Sequence, residues 1–255
     1  MIPARTLLVG LLFAASAVSG AQAPAWPFAV GESLEYQVRV SRLGDVGTGR
    51  MWVEGPAQIG DVASWRLRFE LDAGKGPIRG SDRTSSWIDP RTLTTLRFEK
   101  RERHLLSRSE ERVIIDRPMR QWIDEEGGSG DLATDAPLDE LSFMYFLRTL
   151  PLDRDTTMRF DRHFDAARNP TIVRVLGTDT LITPAGTFQT RIVEMEVRDP
   201  KRYKGTGTIR IHFSTGACQM PIQIESRMPV LGATILTLTA FARPSPNPGA
   251  RRCDR

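Results

Sequence analysis

The stretch Leu34-Glu35-Tyr36-Gln37-Val38-Arg39-Val40 places an apolar residue at every second position, and Trp65-Arg66-Leu67-Arg68-Phe69-Glu70-Leu71 repeats the pattern. Successive side chains on an extended chain point to opposite faces, so both segments read as strands with one buried and one wet side. One-sided strands of this kind belong to antiparallel sheets. The alternation recurs in Leu96/Phe98, in Val113/Ile115, in Ile209/Ile211/Phe213 against Arg210 and His212, and in Ile222/Ile224 against Gln223 and Glu225. Turn signals such as Gly44-Asp45, Asp89-Pro90, Gly127-Gly128, Thr183-Pro184-Ala185-Gly186 and Thr215-Gly216 stand between them. The pattern predicts about eleven to thirteen strands.

One segment breaks it. Leu138, Leu141, Met144, Tyr145 and Leu150 fit a helical stripe, with Asp135 placed to cap the start, Pro137 in a first turn and Pro151 at the end. The expected fold is mainly β: a large curved antiparallel sheet or incomplete β-barrel with one short helix near 138–150, which plugs a barrel end or covers one face. The Gly- and Asp-rich stretch 125–137 is the best internal break, but neither half has an obvious core alone. Residues 24–242 are therefore expected to form a single β-rich domain, and 243–255, with Pro244, Pro246 and Pro248, a Pro/Arg-rich tail.

The 255 residues are 40% hydrophobic and 26% charged, which excludes a disordered chain, a collagen-like rod and a polytopic membrane protein. Arg5, the apolar run from Thr6 to Val18 and the small-residue exit Ser19-Gly20-Ala21-Gln22-Ala23 read as a secretory signal, cut after Ala21 or Ala23. The apolar run is too short for an ordinary membrane span, and no later run is longer, so no stable transmembrane span is expected in the mature chain. A signal retained as an anchor is the alternative. The expected location is the periplasm or outer envelope of a bacterium.

Removing residues 1–21 deletes one Arg and no acid, so the net charge of +4 becomes +3. Of the 35 basic residues all but Lys75, Lys100, Lys201 and Lys204 are Arg, interleaved with acids as in Arg101-Glu102-Arg103. With no continuous basic block, and with export, nucleic acid is not an expected partner. An oxidising compartment makes Cys218 and Cys253 a candidate disulfide, worth roughly 3 to 4 kcal/mol on the chain-entropy model; two unpaired thiols are the alternative.

Catalytic patterns are missing. Gly127-Gly128-Ser129-Gly130 is followed by Asp131, so the nucleophile elbow is incomplete. His104, His163 and His212 lie far apart in sequence; a metal group around His163, Asp161 and Asp165 is conceivable, but Asp161-Arg162-His163 reads as a charged turn, His212 falls on a wet face, and no metal or cofactor is expected. Neighbouring acids such as Glu110/Glu111 point to opposite faces of a strand, so only dispersed carboxylates that meet in the fold could serve a hydrolase.

The positive signal is shape. A curved sheet lined by Trp65, Leu67, Phe69, Leu96 and Phe98 is either filled by its own side chains or encloses an apolar ligand. The leading expectation is a non-enzymatic exported envelope protein that binds a lipid or other amphiphile, or an envelope protein. A polysaccharide-acting hydrolase is one alternative, and predicts two acids converging in a cleft with one pKa raised. A structural assembly component is the other, and predicts an exposed apolar patch or free sheet edge.

Phe28-Ala29-Val30-Gly31-Glu32-Ser33-Leu34-Glu35-Tyr36, Pro137-Leu138-Asp139-Glu140-Leu141-Ser142-Phe143-Met144-Tyr145-Phe146-Leu147-Arg148 and Thr183-Pro184-Ala185-Gly186-Thr187-Phe188 are three motifs that, in this order, resemble a bacterial exported family catalogued as domain of unknown function 3108. The resemblance spans nearly the whole mature chain and implies an envelope protein with a large β-sheet; the family brings no established activity. Physically, Gly186 lies where a hairpin needs positive φ, and Arg148 suits the negative end of a helix.

Overall fold

The computed structural model describes residues 24–76, 78–104, 107–199, 206–228 and 232–244. The signal segment lies outside them, as do Cys253 and the tail beyond Pro244.

Fourteen strands form one antiparallel sheet among the described residues. They are β1 (Ser33–Val40), β2 (Gly44–Ile59), β3 (Val62–Lys75), β4 (Ile78–Asp89), β5 (Thr94–His104), β6 (Ser107–Asp116), β7 (Gln121–Asp124), β8 (Ser129–Asp131), β9 (Thr156–Phe160), β10 (Thr171–Thr183), β11 (Gly186–Arg198), β12 (Thr206–Ser214), β13 (Pro221–Met228) and β14 (Gly232–Ala242). The order runs from β8 down to β1, then from β14 down to β9. Two meanders are thus joined where the first strand meets the last, and the edges β8 and β9 are consecutive in sequence.

The alternation seen in the sequence becomes burial. Leu34, Tyr36, Val38 and Val40 all face the core while Glu35 and Arg39 are exposed. The outer face holds many of the arginines: Arg66 lies 4.4 Å over Trp87 and Arg68 4.8 Å over Trp52, with acids on neighbouring rungs. Gly186, at φ +134°, opens the β10–β11 hairpin as the turn requires. His212 departs from expectation: it is on the outer face but only 8% exposed, because Thr190 and Asp179 lie against its ring.

Helix α1 (Glu140–Leu147) sits between the two edge strands in sequence and inside the curve in space. Its sequence is apolar on nearly every side, which suits burial and not a surface stripe. Asp139, not Asp135, caps it, accepting from the backbone N–H of Leu141 and Ser142, while the Ser142 hydroxyl accepts from the Asp139 N–H. Asp139 wins because Thr95 and Ser86 also donate to its carboxylate, anchoring the helix start on β4 and β5. Two short segments close the gap between the sheet's ends. Leu138 N–H donates to Arg162 O at 2.7 Å and Phe164 N–H to Leu138 O at 3.1 Å, and Phe98, Val113, Ile115, Leu132 and Phe164 form a second small core there.

Candidate functional site

A cavity of about 240 Å³ lies between α1 and the concave face. Its apolar walls come from β2 and β3 (Met51, Phe69, Leu71), from α1 (Leu141, Met144), and from β11 to β14 (Met195, Ile209, Ile224, Leu236). The wall supplied by β4 and β5 is polar. There the register pairs Asp82 with Glu102 and Thr84 with Lys100, and even-numbered positions of both strands face inward.

The charges are arranged in a chain. Lys100 Nζ lies 3.4 Å from Glu102 Oε1 and 3.8 Å from Glu140 Oε1. Arg168, only 6% exposed, donates to Glu140 Oε1 at 2.7 Å and to both oxygens of Glu111 at 2.9 and 3.0 Å. Burial pushes Glu140 up, but Lys100 and Arg168 outweigh it and hold the carboxyl at about 2. Glu111 moves the other way: burial and the facing Glu140 raise it against the pull of Arg168. Two acids thus converge with one raised, the pattern a hydrolase requires, yet both are clamped by one guanidinium.

His163 is not in an exposed charged turn. It is 9% exposed and lines the cavity, because Asn169 and the bridge to Leu138 draw its segment against the helix start. Burial pushes its pKa down to about 4, so the ring is neutral at pH 7. Nδ1 accepts from the Asp165 N–H at 3.0 Å, which assigns the proton to Nε2. That Nε2, and Glu140 Oε2, are buried with no hydrogen-bond partner among the described residues. They are a donor and an acceptor left open in the cavity lining. Asp139, by contrast, is pushed up to about 6 by burial against its hydroxyl and amide donors, and those donors occupy its oxygens.

The His163, Asp161 and Asp165 group does not assemble as a metal site, since Asp161 pairs with Arg159 and Asp165 caps a 3₁₀ turn. The ligand atoms of Asp82, Glu102 and His104 do lie within 4.8 Å of one another; there the Lys100 ammonium pairs with Glu102 and His104 lies 3.4 Å from Asp82. Cys218 is buried and is not free, and its expected partner Cys253 is outside the described residues.

Of the five sequence-derived lining candidates, Trp65, Leu67 and Phe69 share the concave face of β3. Only Phe69 reaches the cavity; Trp65 packs edge-on against Phe28 at 6.3 Å, and Leu67 is in the main core. Leu96 is buried and Phe98 faces Phe164 in the second core. The polar wall was missed because β4 reads polar on both faces. Extending the Leu96/Phe98 stripe by two steps, however, lands on Lys100 and Glu102, and that change of character within one face was a usable signal.

Beneath the cavity, Arg148 is buried against Glu32. It donates to both Glu32 oxygens, to Cys218 O and to Pro27 O, and Arg243 reaches Glu32 Oε2 at 3.5 Å. Arg148 is therefore an interior tie between the helix end, the chain start and the β12–β13 loop, a larger role than balancing a helix dipole.

No curated protein matches the sequence. A β-barrel-like protein of the DUF1849 family from Brucella abortus shares the fold, with a TM-score of 0.54 at 11% identity over 86% of this chain and all of that one. A candidate lipoprotein from Parabacteroides distasonis (TM-score 0.32, 10% identity, 87% and 100% coverage) and a candidate exported protein with a YmcC-like fold from Bacteroides fragilis (0.30, 13%, 87% and 100%) are more distant. No helix among the described residues is long and apolar enough to cross a membrane. The family model described as protein of unknown function DUF3108 matches residues 35–239, and the chain belongs to that family.

Proposed function

We propose that this protein is a non-enzymatic, exported component of the cell envelope that holds an amphiphile in the cavity between α1 and the sheet. One observation carries the reading: apolar walls end at a buried donor, His163 Nε2, and a buried acceptor, Glu140 Oε2, neither of which has a partner among the described residues. Leaving a buried polar group unpaired costs about 1 to 3 kcal/mol, so a ligand that satisfies both recovers that cost. A group that accepts one hydrogen bond and donates another, such as a hydroxyl or an amide, meets this need, and an acyl chain meets the rest. The volume exceeds the roughly 150 Å³ of an engineered apolar cavity that takes benzene. Burying six methylenes at about 0.8 kcal/mol each would contribute about 5 kcal/mol.

The test is native mass spectrometry of protein exported to a bacterial periplasm and purified without detergent, followed by titration with a fluorescent apolar probe. A retained lipid-sized mass, or probe binding abolished by Met144→Trp, is expected. A bare protein that also binds no probe would sink the proposal. The same spectrum reports signal cleavage and the Cys218–Cys253 bond.

The hydrolase reading draws on the convergence of Glu111 and Glu140. Arg168 bonds both Glu111 oxygens and one Glu140 oxygen, which leaves this pair a single oxygen outside the clamp where the chemistry asks for two carboxyl groups.

A further inference from the structure

On the outer face, near the turn that joins β5 to β6, Arg103 stands directly opposite Arg108. Like charges at such a cross-strand position repel and are ordinarily avoided. The next rung shows the usual solution, with Arg101 opposite Glu110 and bonded to it at 2.8 Å. Arg83, one strand over, is bonded to both oxygens of Asp72. Arg103 and Arg108 have no acidic partner among the described residues, and neither has Arg79, which precedes by two residues the Ser81 paired with Arg103. All three are exposed, and they share a concavity with Gly74, Gly76 and Gly80. A protein that pairs its other outer arginines here keeps three guanidinium groups free on one rim.

The rim belongs to the end of the sheet that the cavity reaches. Asp82 and Glu102, inner neighbours of Ser81 and Arg103, line the cavity, as do Asp199 after β11, Ser226 near the end of β13 and Thr234 near the start of β14. The ends of β3, β5, β11 and β13 and the starts of β4, β6, β12 and β14 all lie at this end.

We propose that this rim, through Arg79, Arg103 and Arg108, docks the protein on an anionic phospholipid surface. Three guanidinium groups without an acidic partner among the described residues complement lipid phosphates, which accept bidentate bonds from Arg. The docking does not depend on the cavity being filled, so it stands or falls apart from the amphiphile proposal.

The experiment is sedimentation of the full mature chain with vesicles of phosphatidylglycerol and, separately, phosphatidylcholine, at low and high salt. Binding to phosphatidylglycerol alone, weakened by salt, is expected. Arg79→Ser, Arg103→Ser and Arg108→Ser combined should weaken it roughly a hundredfold, at about fivefold per charge. The three Lys variants should restore most of it, and Arg154→Ser, in the loop before β9, should leave it unchanged. Urea denaturation of the triple Ser variant should show stability close to the parent's, because the substitutions remove a like-charge pair and no ion pair among the described residues. Failure to bind phosphatidylglycerol, equal binding to phosphatidylcholine, or indifference to the triple substitution would each overturn the proposal. Binding to soluble polyglutamate without binding to vesicles would overturn it too, and would point to an acidic protein.

Discussion

Arg148 and Glu32 lie 116 residues apart in the chain and form an ion pair sealed from solvent, with Nη1 donating to Oε1 at 2.5 Å and Nη2 to Oε2 at 3.0 Å. Their side chains are 1% and 0% exposed. Removing one partner from such a pair leaves an uncompensated buried charge, at a cost of about 3 to 5 kcal/mol. Glu32→Gln is therefore expected to lower the unfolding free energy, read from urea denaturation, by that much. A Glu32→Leu and Arg148→Met double variant should recover only part of the loss, because Cys218 O would lose its Arg148 donors while Pro27 O keeps only Arg243. An unfolding free energy within about 0.5 kcal/mol of the parent for Glu32→Gln would show that water reaches the pair.

The same pair marks the border of what the sequence discloses. Alternation at Leu34–Val40 and Trp65–Leu71 fixes strands and inner faces, because period two is a local property. Gly31-Glu32 and Leu147-Arg148 are each readable as parts of motifs, but nothing local says that the two motifs meet. The helix cap went astray for a similar reason: Asp135 and Asp139 are equally good local caps, and Thr95 and Ser86, some 44 and 53 residues away, decide between them. The cavity's polar wall is intermediate. Lys100 and Glu102 continue a visible inner stripe, whereas Arg168 and His163 arrive from beyond the other sheet edge and leave no period to follow.

Asp139 and His163 set opposite pH dependences. Burial raises Asp139 from 3.8 to about 6. The folded state then holds a proton that the unfolded state has lost, so stability from this group is present below pH 4 and is lost as pH rises to 6. Burial lowers His163 from 6.5 to about 4, so its contribution is present above pH 6.5 and is lost as pH falls to 4. Each is worth about 3 kcal/mol at 1.36 kcal/mol per unit, and in the parent they nearly cancel between pH 4 and 6. Asp139→Asn should therefore lose stability on acidification across that window, and His163→Gln should gain it. Thermal midpoints measured at several pH values check both, and identical slopes in the two variants would refute the assignment.

Gly47 sits on β2 where β1 and β3 press in from both sides, opposite Val38 and Ala73. A Cβ added there would lie 1.9 Å from Asp72 O and 2.7 Å from the Ala73 Cα, both backbone atoms that cannot swing away. Gly47→Ala is expected to cost about 2 kcal/mol or more, against the fraction of a kcal/mol that alanine usually gains over glycine in a strand. Gly177→Ala provides the contrast, because no atom lies within 4 Å of its added Cβ, and it should be near neutral by the same denaturation assay.

Arg168 holds the sheet's two ends together. From the segment between β9 and β10 it reaches Glu111 on β6 and Glu140 at the start of α1, beside the backbone bonds that join residues 133–138 to 162–164. Arg168→Ala would leave two carboxylates facing each other across the seam without the charge between them. Arg168 makes three hydrogen bonds to charged groups, each contributing about 1.5 to 3 kcal/mol, so a local loss of about 4 kcal/mol or more is expected. Amide exchange should accordingly quicken at Leu138, Phe164 and the β6 rungs, while β1, β2 and β14 keep their protection. Adding Glu111→Gln should restore part of the protection, because it removes one of the two opposed charges, and this rescue separates electrostatic opening from simple loss of packing. If the seam is also the route by which an apolar ligand enters, probe association should speed up in Arg168→Ala and slow again in the double variant. Exchange that quickens uniformly through all strands would instead make Arg168 part of the global core, with no gate between β8 and β9.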